Sequence, residues 1–281
     1  MTTNARDESR AAPGGRQWLA HRSPRRVAHP GVASNGDVAA PHVAASVALF
    51  LPAFNEAENI ACTMQAALRS LSRITSAYKV IVVDDGSTDG TRQIAADLAG
   101  DYPDHVVVVG HDVNRGYGAA LQTGFRAGLK TGCDWIGFVD ADGQFDLDEL
   151  SSLLQAALVQ RAQFVAGYRM ARADSWTRRQ LGHAWDGLSA RIVNHGLRDV
   201  DCGFKIIHRD ILLAVRLTGT YASISPELAA KARMTGTTIA QVGVTHYPRA
   251  GGTQSGASVK VVIRSLRGLL DLRREIAGES V

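Results

Sequence analysis

Two carboxylates and an amide stand close together at Asp140-Ala141-Asp142-Gly143-Gln144. Oxygen ligands of this kind suit a hard divalent cation, Mg²⁺ or Mn²⁺, that keeps coordination positions open for a substrate phosphate. The preceding residues, Trp135-Ile136-Gly137-Phe138-Val139, are apolar, aromatic and β-branched, which reads as a buried strand. The acids therefore sit at a strand's carboxyl end, where ligands bind in open α/β sheets. The chemistry this predicts is metal-assisted transfer from a diphosphate-activated substrate. Asp-x-Asp alone is equally a solvated turn, so the neighbouring segments must decide.

Those segments alternate. Val47 to Leu51 is an apolar run ended by Pro52, followed by Ala53-Phe54-Asn55-Glu56-Ala57-Glu58-Asn59. Asn55 is placed to cap the next helix, with Glu56 and Glu58 at its positive end, and Ile60, Met64, Ala67, Leu68 and Leu71 recur at helical spacing. Lys79 to Val83 reads as a second buried strand, emptying into Asp84-Asp85-Gly86-Ser87-Thr88-Asp89-Gly90-Thr91. A helix over 91–98 follows, then a strand over 106–109, the turn Asn114-Arg115-Gly116-Tyr117-Gly118, and a helix to Lys130. After the acidic strand come a helix over 147–160, a strand over 164–167 ending in Tyr168-Arg169, and a helix over 181–195. Ile206-Ile207 is strand-like, Ser225-Pro226-Glu227 opens a helix, and 238–247 is a late strand before the Gly-rich stretch 248–255. Repeated strand–helix alternation predicts an α/β fold: a single, mostly parallel sheet with helices on both faces. G-x-G-x-x-G is absent after the first strand and G-x-x-x-x-G-K-[ST] is absent altogether, which argues against a dinucleotide domain and a P-loop ATPase.

Composition narrows the class further. The 281 residues carry a net charge of +4. Six arginines against Asp7, Glu8 and Asp37 put +3 of it in residues 1–40. The rest is nearly neutral, so no nucleic-acid partner is expected. Residues 1–42 lack periodicity and read as a disordered leader, ahead of a catalytic domain over 43–257 and a C-terminal amphipathic helix over 258–281. Cys62, Cys133 and Cys202 have no paired spacing, as in a cytoplasmic protein with reduced thiols. No run of eighteen apolar residues exists to span a bilayer. Val259, Val262, Ile263, Leu266, Leu269 and Leu270 form an apolar stripe opposite Lys260, Arg264, Arg267, Arg273 and Arg274. Such a helix either lies peripherally on an anionic inner membrane face or packs on the domain or a second subunit of a homo-oligomer.

The segments L-P-A-F-N-E-A-E-N, V-V-D-D-G-S-T-D-G-T, R-G-Y-G-A-A, V-D-A-D-G-Q, G-Y-R, D-x-x-C-G-F-K and P-E-L occur in this order over about three-quarters of the chain. Together they resemble the family 2 glycosyltransferases of GT-A fold, and within them the polyprenyl/dolichyl-phosphate mannosyltransferase branch. The resemblance implies a nucleotide-sugar donor, GDP-mannose or a UDP-sugar, and a polyprenyl phosphate acceptor. It gives the nucleotide base and ribose to Pro52, Phe54 and Glu56, with Asp84 or Asp85, and the metal to Asp140, Asp142 and Gln144. Gly116 and Gly118 would let a helix start lie close beneath the nucleotide, or simply pack it closely on the sheet. Arg169 and Arg178 or Arg179 would grip phosphate, and Lys205 would stand near the acceptor phosphate. Cys202 reads as a packed thiol, and Asp199 fits the family acid better than Asp201. Glu227 stands where the branch often carries an acid: a general base for a hydroxyl acceptor, or a ligand for sugar hydroxyls. Arg249 and the 250–256 loop resemble a lid over the donor phosphates. Other readings are a soluble hydroxyl acceptor, such as a secondary metabolite, a non-catalytic nucleotide-sugar-binding protein, and nucleotidyl transfer, which the P-A-F-N-E stretch after the first strand disfavours.

Overall fold

A computed structural model describes residues 45–171, 176–252 and 259–278. The leader, Arg172, the side chain of Arg178 and most of the 250–256 loop lie outside that set.

Seven strands form one sheet in the order β3-β2-β1-β4-β6-β5-β7 among the described residues. They are β1 (Val47–Ala53), β2 (Tyr78–Asp85), β3 (Val106–His111), β4 (Trp135–Val139), β5 (Phe164–Arg169), β6 (Phe204–His208) and β7 (Ile239–Val244). The helices are α1 (Ile60–Ile74), α2 (Thr91–Asp101), α3 (Tyr117–Lys130), α4 (Leu150–Val159), α5 (Trp176–Val193), α6 (Arg209–Ala214), α7 (Ile224–Met234) and α8 (Val259–Ala277). β1, β2, β3 and β4 pair in parallel, as do β5 and β7, whereas β6 runs antiparallel to both of its neighbours. The expected mostly parallel sheet is thus present, with one reversed strand inserted. That reversal matters, because Phe204 pairs with Val139 and so the start of β6 meets the carboxyl end of β4.

Every residue of β1 is buried, as a strand covered on both faces requires. Its alternate side chains feed two cores. Leu49 and Leu51 join Met64, Leu71, Leu150 and Leu153 on the α1/α4 side; Ala48 and Phe50 join Phe125, Phe138 and Leu228 on the α3/α7 side. Phe50 stacks on Phe138 and meets Phe125 edge-on, with ring centroids at 5.6 and 5.0 Å. Gly124 makes this packing fit, since a Cβ there would lie 2.2 Å from the Phe50 ring.

Two local expectations are corrected. Asn55 does not cap α1: it adopts φ 56° and its side chain accepts from Thr88 N–H, while the helix begins at Ile60. The 147–160 segment starts as a 3-10 turn, which Asp146 caps by accepting from Asp148 N–H. At the far end, α8 is docked. Leu269 and Leu272 pack with Val193 of α5 and Ala230 of α7, while Ile263 and Leu270 face solvent. The stripe read from the sequence is therefore divided between two faces.

Candidate functional site

β4 ends at Val139, and the chain turns through Gly143 at φ 73°. This turn brings Asp140 and Asp142 to the carboxyl edge of the sheet. Asp140 N–H donates to Gly203 O (3.1 Å), and Tyr117 Oη donates to Asp140 Oδ1 (3.0 Å). Burial, and then the neighbouring Asp142 charge, push the Asp140 carboxyl up to about 7, against the pull of Tyr117, Lys205 and Arg169. Asp142 Oδ1 accepts from Gln144 N–H at 3.1 Å, and its Oδ2 lies 3.8 Å from Arg249 Nη1. Gln144 is buried; its amide nitrogen donates to Tyr247 O (2.8 Å) and its own carbonyl accepts from Tyr247 N–H (2.7 Å). A bridge between Phe145 and His246 completes a strap that carries Arg249 across the acids.

Arg249 and Glu56, both assigned to the donor, are bound to each other. Nη2 reaches both Glu56 oxygens at 2.7 and 2.6 Å, and Nε donates to Gly251 O at 2.6 Å. Asn59 Nδ2 donates to Glu56 Oε2 (2.8 Å) and Gly251 O (3.2 Å). Burial raises the Glu56 pKa despite the bonds from Asn59 and Arg249. Glu56, Asp140, Asp142, Gln144 and Arg249 therefore form one cluster.

The cluster fits a hard cation. Two carboxylates lie close together at the sheet edge, and burial with the Asp142 charge pushes the Asp140 carboxyl up. A divalent ion would relieve both. With its nitrogen committed to Tyr247, Gln144 has its amide oxygen left to offer a cation. Among the described residues no group of three His, Cys, Asp or Glu could hold an ion alone. Further ligands would then be water or substrate oxygens, the usual habit of Mg²⁺.

Several assigned residues are held by partners within the fold. Asp84 is buried against Arg92 Nε (2.8 Å), and Arg92 in turn donates to His111 O. Asp85 accepts from His111 Nδ1 (2.6 Å), Arg115 N–H (2.9 Å) and Gly116 N–H (2.9 Å). Both acids hold the turns that follow β2 and β3 in this arrangement. Gly116 and Gly118 pack closely on a loop, not on a strand. A Cβ on either would fall within 3 Å of the backbone of 219–220, and Gly118 N–H donates to Thr220 O at 3.0 Å. Arg169, expected to grip phosphate, has its fork on Asp199 (2.7 and 2.6 Å), with both side chains nearly buried. Lys205, expected near the acceptor phosphate, is fully buried beside Phe138, and its ammonium donates to Val200 O and Cys202 O. Cys202 is buried as expected, and burial pushes its thiol up to about 12.

Glu227 is also buried. Its carboxylate accepts from Thr218 N–H (2.9 Å), Thr218 Oγ1 (3.0 Å), Gly219 N–H (2.7 Å) and Lys231 Nζ (2.8 Å). A carboxylate so occupied fixes a loop and is poorly placed to take a proton. Pro52 is buried at the end of β1, Phe54 is half-buried just beyond it, and Arg179 is exposed on α5. Two participants had no role assigned from sequence, Tyr117 and Gly203. Both lie inside quoted motifs, R-G-Y-G and C-G-F-K. The reversed β6 brings Gly203 to Asp140, and the start of α3 brings Tyr117.

Residues 48–216 match the family model described as glycosyl transferase family 2. Polyprenol monophosphomannose synthase of Mycolicibacterium smegmatis is 29% identical over 81% of this chain and 90% of that protein. The undecaprenyl-phosphate 4-deoxy-4-formamido-L-arabinose transferase of Sodalis glossinidius is 28% identical over 77% of this chain, which spans only 64% of that relative's length. Dodecaprenyl-phosphate galacturonate synthase of Rhizobium johnstonii is 27% identical over 80% of this chain and 65% of that protein. In fold, the chain is similar to glucosyl-3-phosphoglycerate synthase of Mycobacterium tuberculosis, solved with Mn²⁺, UDP and glucosyl-3-phosphoglycerate. The TM-score is 0.62 at 18% identity, covering 90% of this chain and 87% of that one.

Proposed function

The chain belongs to glycosyl transferase family 2, and from that premise we propose that it moves a sugar from a nucleoside diphosphate donor to a polyprenyl phosphate, with inversion. GDP-mannose and UDP-sugars are the donors to test. The observation that carries the reading is the Asp140–Asp142 pair beneath Arg249 at the end of β4, in a chain whose relatives are named for polyprenyl-phosphate sugars.

Asp140, Asp142 and the Gln144 oxygen would hold Mg²⁺ or Mn²⁺, which when bound offsets the charge developing on the departing nucleoside diphosphate. Arg249 Nη1 lies 3.8 Å from Asp142 Oδ2. On donor arrival its fork would exchange Glu56 for diphosphate oxygens, and Glu56 would then be free to accept donor hydroxyl or base N–H groups. Pro52 and Phe54 supply the apolar wall beside it. A phosphate acceptor is already anionic and needs no general base. The occupied state of Glu227 therefore supports a phosphate acceptor over a soluble hydroxyl compound.

Among the described residues no helix is long and apolar enough to cross a membrane. We place contact with the lipid on α8, whose outward face carries Ile263 and Leu270 among exposed Arg264, Arg267, Arg273 and Arg274. On this reading the enzyme works peripherally, at the cytoplasmic face of the membrane.

The deciding experiment is donor turnover with Mg²⁺ or Mn²⁺, comparing GDP-mannose and UDP-sugars, with and without a short polyprenyl phosphate. Nucleoside diphosphate release that needs both metal and lipid phosphate, and is lost in Asp142→Ala, is the expected result. Tight donor binding without lipid-stimulated release would overturn it and direct attention to soluble acceptors.

A further inference from the structure

Rotamer preference does not fix an aspartate's carboxylate. Its terminal torsion joins an sp³ to an sp² carbon and is broad, so the direction of the oxygens is set by what binds them. Asp140 is bound from two sides. On one, Gly203 presents a bare Cα: a Cβ there would lie 2.0 Å from Asp140 Oδ2, and Gly203 O accepts Asp140 N–H. On the other, Tyr117 Oη donates to Oδ1 at 3.0 Å.

Tyr117 is itself held at both flanks. Before it, Arg115 N–H and Gly116 N–H both donate to the buried Asp85 carboxylate, and Gly116 takes φ 94°, a conformation costly for other residues. After it, Gly118 N–H donates to Thr220 O with no room for a side chain between. The 219–220 backbone is in turn fixed by Gln122 Nε2 donating to Gly219 O and by Glu227 accepting Gly219 N–H. The start of α3 is thus pinned to two separate elements, and the phenol runs from it to Asp140.

We infer that Tyr117 is a positioning residue, fixing the Asp140 carboxylate in the orientation in which it serves as a cation ligand beside Asp142. The inference rests on the metal reading above. It also gives a purpose to Asp85 and Glu227, which touch neither acid but hold the two sides of the turn that carries Tyr117. Outer bonds of this kind typically alter metal affinity by about 10–100-fold.

The test is Tyr117→Phe, which keeps the ring and removes the hydroxyl. Mn²⁺ affinity is measured by water-proton relaxation with and without GDP or UDP. Nucleotide affinity in EDTA and the melting temperature are measured beside it. The expected result is Mn²⁺ affinity weaker by about 10–100-fold with the other two quantities unchanged. Wild-type Mn²⁺ affinity in Tyr117→Phe would overturn the inference. So would a parallel fall in nucleotide affinity and melting temperature, which marks a merely structural role. Asp142→Asn separates the two levels: if it binds Mn²⁺ as the wild type does, the metal reading itself fails and this inference goes with it.

Discussion

At Gly203 a single methyl group tests the site's construction. The Cβ of Gly203→Ala would meet both oxygens and the carbon of the Asp140 carboxylate within 2.7 Å, so the acid must move. Overpacking of this kind costs about 1–3 kcal/mol, which the sheet can absorb while the site cannot. We expect a folded protein whose metal-dependent donor turnover falls at least tenfold, read by circular dichroism and nucleoside diphosphate release. Glu227 separates a base from a brace. Glu227→Gln keeps the side chain's shape but removes the charge that Lys231 faces from 2.8 Å. A brace predicts lost stability of about 1–3 kcal/mol with the pH–rate profile unchanged in shape. Loss of the acidic limb of that profile with stability intact would restore Glu227 to the chemistry. Residue types in the motifs were legible from the sequence, and so was the acidic pair. Partnership was not. Arg169, Lys205, Asp84, Asp85 and Glu227 each have the charge that substrate binding wants, but burial and pairing decide whether that charge faces substrate, and both are set by residues distant in the chain.

Elements explain what could be read and what could not. The parallel half of the sheet announces itself through buried strands, polar turns and amphipathic helices in repetition. β6 gives no such sign, because Ile206-Ile207 has the same composition in either direction; its reversal is fixed by pairing between β4 and β5. The strap over the acids is likewise a product of pairing, through Gln144 with Tyr247 and Phe145 with His246. Arg249 on that strap offers a cation to Glu56 and Asp142 before any metal arrives. Arg249→Ala should therefore bind Mn²⁺ more tightly without donor and bind donor more weakly with it. A shift of about tenfold either way corresponds to roughly 1.4 kcal/mol, and isothermal titration resolves it. If both affinities fall together, the guanidinium supports the acids and does not compete for them. After α5, His195 is buried, with Nδ1 accepting Leu197 N–H (3.1 Å) and Nε2 against Ser189 Oγ (3.0 Å). Burial lowers its pKa to about 4; Lys205 and Arg233 act in the same sense and a backbone bond to Asp186 opposes them. The unfolded chain binds this proton near 6.5 and the folded one near 4, so stability is present above 6.5 and drains as pH falls toward 4. Up to about 3 kcal/mol is at stake. Urea midpoints should decline across that window, and His195→Gln should flatten the decline.

At the scale of the whole molecule, the proposed contact with lipid falls on the exposed side chains of α5 and α8. α5 and α8 pack along each other. Leu181 and Leu188 of α5 are 68% and 41% exposed, and Ile263 and Leu270 of α8 are 44% and 48% exposed. Single exposed apolar residues mean little. Here two helices in contact each present two such residues, and α8 interleaves its own pair with exposed arginines, the pattern of a helix lying in a membrane interface. Each arginine near an anionic leaflet contributes about 1 kcal/mol, so Arg267→Ser with Arg274→Ser should weaken binding to phosphatidylglycerol vesicles by about tenfold or more. Added salt should weaken the wild type in the same direction, since the attraction is screened within a Debye length. Ile263→Ser with Leu270→Ser should lower binding to anionic vesicles while leaving donor turnover on a short, water-soluble acceptor unchanged. That last measurement separates delivery of a lipid substrate from chemistry. If instead neither variant alters vesicle binding and sedimentation equilibrium shows a dimer that Ile263→Ser disrupts, the face belongs to a second copy of the chain, and the lipid must reach the acids by another surface.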